Sequence, residues 1–133
     1  MVCAGARAAQ VGTAFMLCPE AGTSEAHRAA LRTKTETGLT RAFTGRLARG
    51  VRNEFLDEHS AAAPIAYPEL HYVTAPMRTQ ARKAGNAELV NLWAGEAHAL
   101  AQEAPAAEVV RQLVADAQVA LREVIRRFTP PQA

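Results

Sequence analysis

The sequence predicts an α/β chain that is mostly helical and carries two short strands. Three observations lead there. Apolar residues recur at helical spacing through the last third, at Val110, Leu113, Val114, Ala117, Leu121, Val124, Ile125 and Phe128. Two short stretches bounded by glycines, residues 8–12 and 38–45, read as strands. The composition, 49% hydrophobic and 21% charged over 133 residues, is that of a globular domain with one core.

Taken in order, AAQVG (8–12) is short, apolar and flanked by Gly5 and Gly12, the pattern of a buried strand. Alanine is a weak strand former, and a strand buried on both faces needs neighbours that this chain does not obviously supply. Thr23 or Ser24 caps a helix that has Glu25 in its first turn and runs to Arg32. GLTRAFTG (38–45) alternates Leu39, Arg41 and Phe43 with Thr40, Ala42 and Thr44, which favours the second strand. RLARGVRNEFLDEH (46–59) sets Leu47, Val51 and Phe55 four apart on one helix face. Gly50 inside that helix would cost about 1 kcal/mol relative to alanine. SAAAPIAYP (60–68) is a loop. ELHYVTAPMRTQARKAG (69–85) predicts a helix broken or started at Pro76 and ended by Gly85. NAELVNLWAGEAHALAQEA (86–104) reads as a further helical stretch with a loop near Gly95. Pro105 suits the first turn of the last helix, and Arg126 and Arg127 complement the dipole at its end. Glu123 pairs with Arg127 four residues on.

Charge and residue content exclude several function classes. Net charge is +2, from 15 basic and 13 acidic residues, so no strong field for nucleic acid or an anionic membrane is expected. Aromatic residues, at 5%, are too few for a base-stacking surface. No apolar run reaches the roughly 18 residues of a membrane span. The N-terminus lacks the basic region of a signal peptide, and the cytoplasm is the expected compartment. Cys3 and Cys18 suggest neither a disulfide framework nor a zinc site. His27, His59, His71 and His98 form no i, i+4 pair, so no metal is expected and packed or solvated histidines are the better reading. Arg41, Arg46, Arg49 and Arg52 form a basic cluster. It is either the surface of a helical module that binds an anionic partner or a solvated or salt-bridged face, and the charge balance favours the second. Trp93, the single tryptophan, reads as an anchor for the last helices more than as a ring that stacks on a cofactor.

Three blocks then carry a resemblance. GARAAQVGTAFMLCPEAGTSEAHRAAL, LTRAFTGRLARGVRNEFLDEH and LWAGEAHALAQEAPAAEVVRQL together resemble the C-terminal part of the nitronate monooxygenase family, formerly called 2-nitropropane dioxygenases. The resemblance extends to about residue 115. It implies an FMN enzyme built on a TIM (β/α)8 barrel with a smaller helical lid. Such a barrel typically takes around 250 residues, so the chain would be a C-terminal fragment of one. Residues 1–45 would be the last barrel strand, the phosphate-binding turn and the following helix and strand. Residues 46–133 would be the helical lid and C-terminal helices.

The resemblance also implies the site. Gln10, Gly12 and Thr13 would be the cofactor contacts, because flavin phosphate in barrels sits at the loops after the last strands. Gly12 lets the backbone approach closely, its N–H and that of Thr13 would face phosphate oxygens, and the Thr13 hydroxyl would add a hydrogen bond. The parent enzyme would oxidise a small alkyl nitronate with dioxygen to a carbonyl compound and nitrite. An FMN-dependent enoyl-thioester reductase or NADH-linked quinone reductase stays open within the same resemblance. Tyrosine and lysine line the substrate pocket in relatives, which makes Tyr72 and Lys83 candidates here. The family's catalytic histidine lies on an earlier strand and none of these four matches it, so no catalytic residue is assigned. The chain alone is expected to be inactive. It would be a non-catalytic remnant, or would depend on a partner chain that supplies the missing barrel strands.

Overall fold

A computed structural model describes residues 5–128. The chain divides into two compact units, one spanning Gly22–Ala101 and the other built from the described residues up to Ala21 together with those from Gln102 onward.

The first unit opens with helix α1, Glu25–Thr33, whose N-cap is the extended Ser24. Arg32 pairs with Glu25 at 2.9 Å, and Ala30 and Leu31 are buried. Strands β1 (Thr37–Thr40) and β2 (Ala48–Val51) follow and pair antiparallel, Thr37 opposite Val51 and Thr40 opposite Ala48. Helix α2 covers Glu54–His59 and helix α3 covers Glu69–Lys83. Residues 90–94 run extended along the other side of β2. The Val51 amide donates to the Leu92 carbonyl at 2.8 Å, and the Ala94 amide donates to the Arg49 carbonyl at 3.2 Å. A bridge joins Gly50 to Trp93. Phe43, Val51 and Leu92 are each 1% exposed and form the centre of the core. The Phe43 ring lies 4.7 Å from Phe55 and meets Trp93 edge-on at 5.6 Å. Burying such side chains stabilises by about 1.5–3 kcal/mol each.

The helix expected over 46–59 is therefore a strand, a corner and a short helix. Leu47, Val51 and Phe55 do not share a helix face, because β2 gains ladder hydrogen bonds on both sides. Gly50 permits this. A Cβ there would stand 2.8 Å from the Leu92 carbonyl oxygen and 3.2 Å from the Trp93 ring. The strand expected over 38–45 stops at Thr40, where the chain turns. Arg41 accepts from the amides of Thr44 and Gly45, and Gly45 takes φ +79° to close the turn. Helix α3 runs through Pro76 instead of breaking there. Tyr72, Val73 and Pro76 lie on its exposed side, where water can replace the hydrogen bond that proline cannot donate. Gly85, at φ +68°, ends it as expected. The helical stretch expected over 86–104 is instead two single 3-10 turns, Ala87–Leu89 and His98–Leu100, around the extended segment. Trp93 accordingly anchors that segment to β2 and Phe43.

In the second unit, residues 8–12 are exposed and form no strand. A strand needs a partner for its backbone groups, and none of the described residues pairs with them. A 3-10 turn covers Thr13–Phe15, with Leu17 and Cys18 buried behind it. Cys3 lies outside the described residues. Helix α4 spans Ala106–Phe128. Both carboxylate oxygens of Glu20 accept from the Ala106 amide, at 3.1 and 3.2 Å, which satisfies a first-turn donor. Glu123 holds Arg126 at 2.9 Å and Arg127 at 3.1 Å. Val109 is the buried residue of α4, while Val114 and Ile125 remain 52% and 56% exposed. The expected class, a mostly helical α/β chain with two short strands, is what the structure has. The two strands form one hairpin and stand elsewhere than at 8–12.

Candidate functional site

The turn at 10–16 is built by local hydrogen bonds. The Phe15 amide donates to the Gly12 carbonyl at 3.0 Å and the Met16 amide to the Thr13 carbonyl at 3.1 Å. Gly12 is the residue before the 3-10 turn, at φ −117° and ψ −56°. That conformation is open to any residue, and a Cβ on Gly12 would meet nothing within 4 Å. The turn does not itself require a glycine. Gln10 and Gly12 are exposed and Thr13 is half-buried. The first N–H groups of a helical turn have no acceptor inside it and point outward. The space beside Gly12 is open. Beside the turn, Val11 and Phe15 form an apolar groove with Val110, Leu113 and Val114 of α4.

Tyr72 and Lys83 both stand on α3. Eleven residues, three turns, place them on the same exposed side and about 16 Å apart along the axis. Tyr72 is 69% exposed and packs edge-on against the His71 ring at 5.4 Å. The chain does not bring the two into contact with each other.

The histidines are packed or solvated, and the described residues hold no group of three or more potential metal ligands. His98 is 1% exposed. Its Nε2 donates to the Lys34 carbonyl at 2.7 Å, tying the end of α1 to the His98–Leu100 turn, while its buried Nδ1 has no partner. His27 Nε2 is likewise buried and unpartnered. Burial holds the His27 pKa below its ordinary value, opposed by a hydrogen bond to the Trp93 backbone and assisted by Arg82. Among the clustered arginines, Arg52 pairs with Asp57 at 2.9 Å, and Arg49 bonds Thr37 Oγ1 at 2.8 Å and faces Glu96 at 3.7 Å. Arg46 lies over the Tyr67 ring at 5.6 Å. Arg49 and Arg52 are thus paired with carboxylates, whereas Arg46 meets an aromatic ring.

Sequence reasoning missed two features. One is an apolar cleft of about 250 Å³ bounded by Ala42, Phe55, His59, Pro64, Leu70 and Thr74. The other is a cationic cluster, Arg78 and Arg82 with Asn91 and His71. The i, i+4 spacing of the two arginines was legible, but the burial of Arg78 was not. No helix among the described residues is long and apolar enough to cross a membrane.

Comparison with known proteins agrees in one direction. The family model described as nitronate monooxygenase matches residues 1–116. The nitronate monooxygenase of Pseudomonas aeruginosa is 43% identical over 115 residues, which cover 83% of this chain and 33% of that protein. A probable nitronate monooxygenase of Staphylococcus aureus is 34% identical over 114 residues, covering 83% and 32%. Among solved structures, a nitroalkane oxidase from Streptomyces ansochromogenes superposes with a TM-score of 0.85 at 48% identity, over 90% of this chain and 36% of that one. The chain thus spans about a third of the length of the curated relatives it matches.

Proposed function

The chain belongs to the nitronate monooxygenase family, and on that premise we propose that it is the C-terminal, phosphate-binding part of an FMN-dependent enzyme. The whole enzyme would oxidise small alkyl nitronates with dioxygen to carbonyl compounds and nitrite. In it, residues 8–12 join a barrel sheet once neighbouring strands are present, and the α3 face with Tyr72 and Lys83 borders the substrate pocket. The rest of the barrel, carried on the same polypeptide or on a partner chain, supplies the catalytic base.

The observation that carries this reading is Gly12, a glycine that its own turn does not need and over which the surface is open. Backbone N–H groups at Gly12 and Thr13 would hold the phosphate, the Thr13 hydroxyl would donate to it, and Gln10 would orient its amide toward the cofactor. Flavin, when bound, supplies the electron transfer; this chain's part is to grip and position it.

The test is a chimera in which this chain replaces the matching third of the P. aeruginosa relative. Flavin absorbance and nitrite release from a nitronate are expected from the chimera and from neither part alone. A folded chimera without flavin overturns the reading. Gly12→Ala should leave the unfolding midpoint of the chain within about 0.5 kcal/mol of wild type, because the added methyl meets nothing. In the chimera the same change should abolish FMN retention. Thr13→Val should weaken FMN roughly tenfold, the worth of one hydrogen bond to a charged group.

A further inference from the structure

Arg78 is 4% exposed, yet none of its hydrogen-bond partners is a carboxylate. Its Nε donates to Thr74 Oγ1 at 3.2 Å. Its Nη2 donates to the His71 carbonyl at 2.7 Å and faces His71 Nδ1 at 3.3 Å. Its Nη1 reaches Asn91 Oδ1 at 3.5 Å. Arg82, one turn further along α3, donates through Nη2 to the same Asn91 Oδ1 at 2.5 Å. Two guanidinium groups therefore converge on one neutral amide oxygen.

Among the described residues no carboxylate pairs with Arg78 or Arg82; Glu88 pairs with Lys34, and Asp57 with Arg52. Like charges four apart on a helix repel, and a buried cation without a counter-charge destabilises the fold that holds it. Burial first, and the Arg82 charge second, push the Arg78 guanidinium below its usual value.

We propose that Arg78, Arg82 and Asn91 form a binding site for a small oxyanion, a phosphate or a carboxylate. Planar guanidinium forks match such anions through paired N–H donors. Arg82 is exposed and Asn91 and His71 are half-buried, so an anion enters from the Arg82 side. It takes the place of Asn91 Oδ1 between the two guanidiniums, and the Asn91 amide turns over to donate through Nδ2. The site shares no residue with the turn at Gln10–Thr13, and its failure would leave the flavin reading untouched.

Thermal unfolding of the full 133-residue chain in phosphate, acetate and chloride at matched ionic strength tests the site. Phosphate should raise Tm above chloride. At a tenfold excess over Kd the folded-to-unfolded ratio should rise about elevenfold. Acetate giving the larger rise would assign the site to carboxylates. Arg82→Gln, a change at an exposed position, should lose the increment. Asn91→Asp should raise Tm in chloride and erase the increment, because the side chain then supplies the anion. Phosphate and acetate both equal to chloride overturn the proposal. So does an increment that survives in Arg82→Gln, since that is a general salt effect. If the chain shows no transition in chloride, its folded fraction by circular dichroism is followed as phosphate is added. No gain there also overturns the proposal, because a ligand of the folded state must populate it.

Discussion

Gly45 and Gly85 both take positive φ, at +79° and +68°, but only Gly45 has a close neighbour. A Cβ on Gly45 would stand 2.2 Å from the Ala66 carbonyl oxygen, whereas one on Gly85 meets nothing within 4 Å. Gly85→Ala should cost about 1 kcal/mol, the left-handed penalty alone. Gly45→Ala should cost about 3 kcal/mol or more, because backbone has to move as well. Urea midpoints of the two variants measure the difference. His27 gives the chain a pH dependence. Its folded pKa lies below the ordinary 6.5, so between the two values the unfolded state binds more protons. The stability it contributes is whole above about pH 6.5 and is lost as pH falls from there through the folded value. Unfolding curves between pH 8 and pH 5, about either side of that value, should show the decline, and His27→Gln should flatten it. In the sequence Gly85 was visible as the end of a helix and Gly45 only as the boundary of an expected strand. The orphaned Nε2 of His27 was not, since it depends on what surrounds the ring.

Asn53 joins three elements. Its Oδ1 accepts from the Leu56 amide and caps α2, while its Nδ2 donates to the carbonyls of Ala87 and Val90, each at 2.8 Å. Asn53→Ala should lose about 1 kcal/mol for the cap and about 1 more for each carbonyl left dry. Asn53→Asp keeps the cap but faces two carbonyls with a 3% exposed carboxylate, and should be the more destabilised of the two by denaturant midpoint. Helix signals were the most legible part of the sequence: Ser24 before α1, Gly85 after α3 and Pro105 before α4 all stand where expected. The helix expected through Gly50 failed because spacing of Leu47, Val51 and Phe55 describes either state. The choice was made by Leu92–Ala94, which lies some forty residues away and offers β2 a second row of acceptors and donors.

Among the described residues, helix α4 leaves much of its apolar face exposed. Leu113, Val114, Leu121 and Ile125 of α4 are 40–56% exposed. If the rest of a barrel packs there, as the proposed function requires, Val114→Ser with Ile125→Ser should change the chain's own stability by no more than about 0.5 kcal/mol. The same pair should lower the thermal midpoint of the chimera with the P. aeruginosa relative. An unchanged chimera would place the barrel contact elsewhere. The candidate site follows the same logic. Gln10, Gly12 and Thr13 could be named from the three sequence blocks, and the structure adds that the approach to Gly12 is open. Tyr72 and Lys83 could be named too, but their separation of three helical turns required α3 to run unbroken through Pro76.

By itself the sequence determined the family, the mostly helical class, the ends of α1 and α3 and the start of α4. These are settled by neighbours within four residues, or by blocks read in order. Tertiary structure alone decided that Ala48–Val51 is a strand, that residues 8–12 are not, and that Arg78 lies buried beside a second cation. Strand pairing and burial depend on groups distant in sequence. A helix closes its hydrogen bonds on itself, whereas Gly50 needs both Gly38 and Trp93 before it has a place in a sheet.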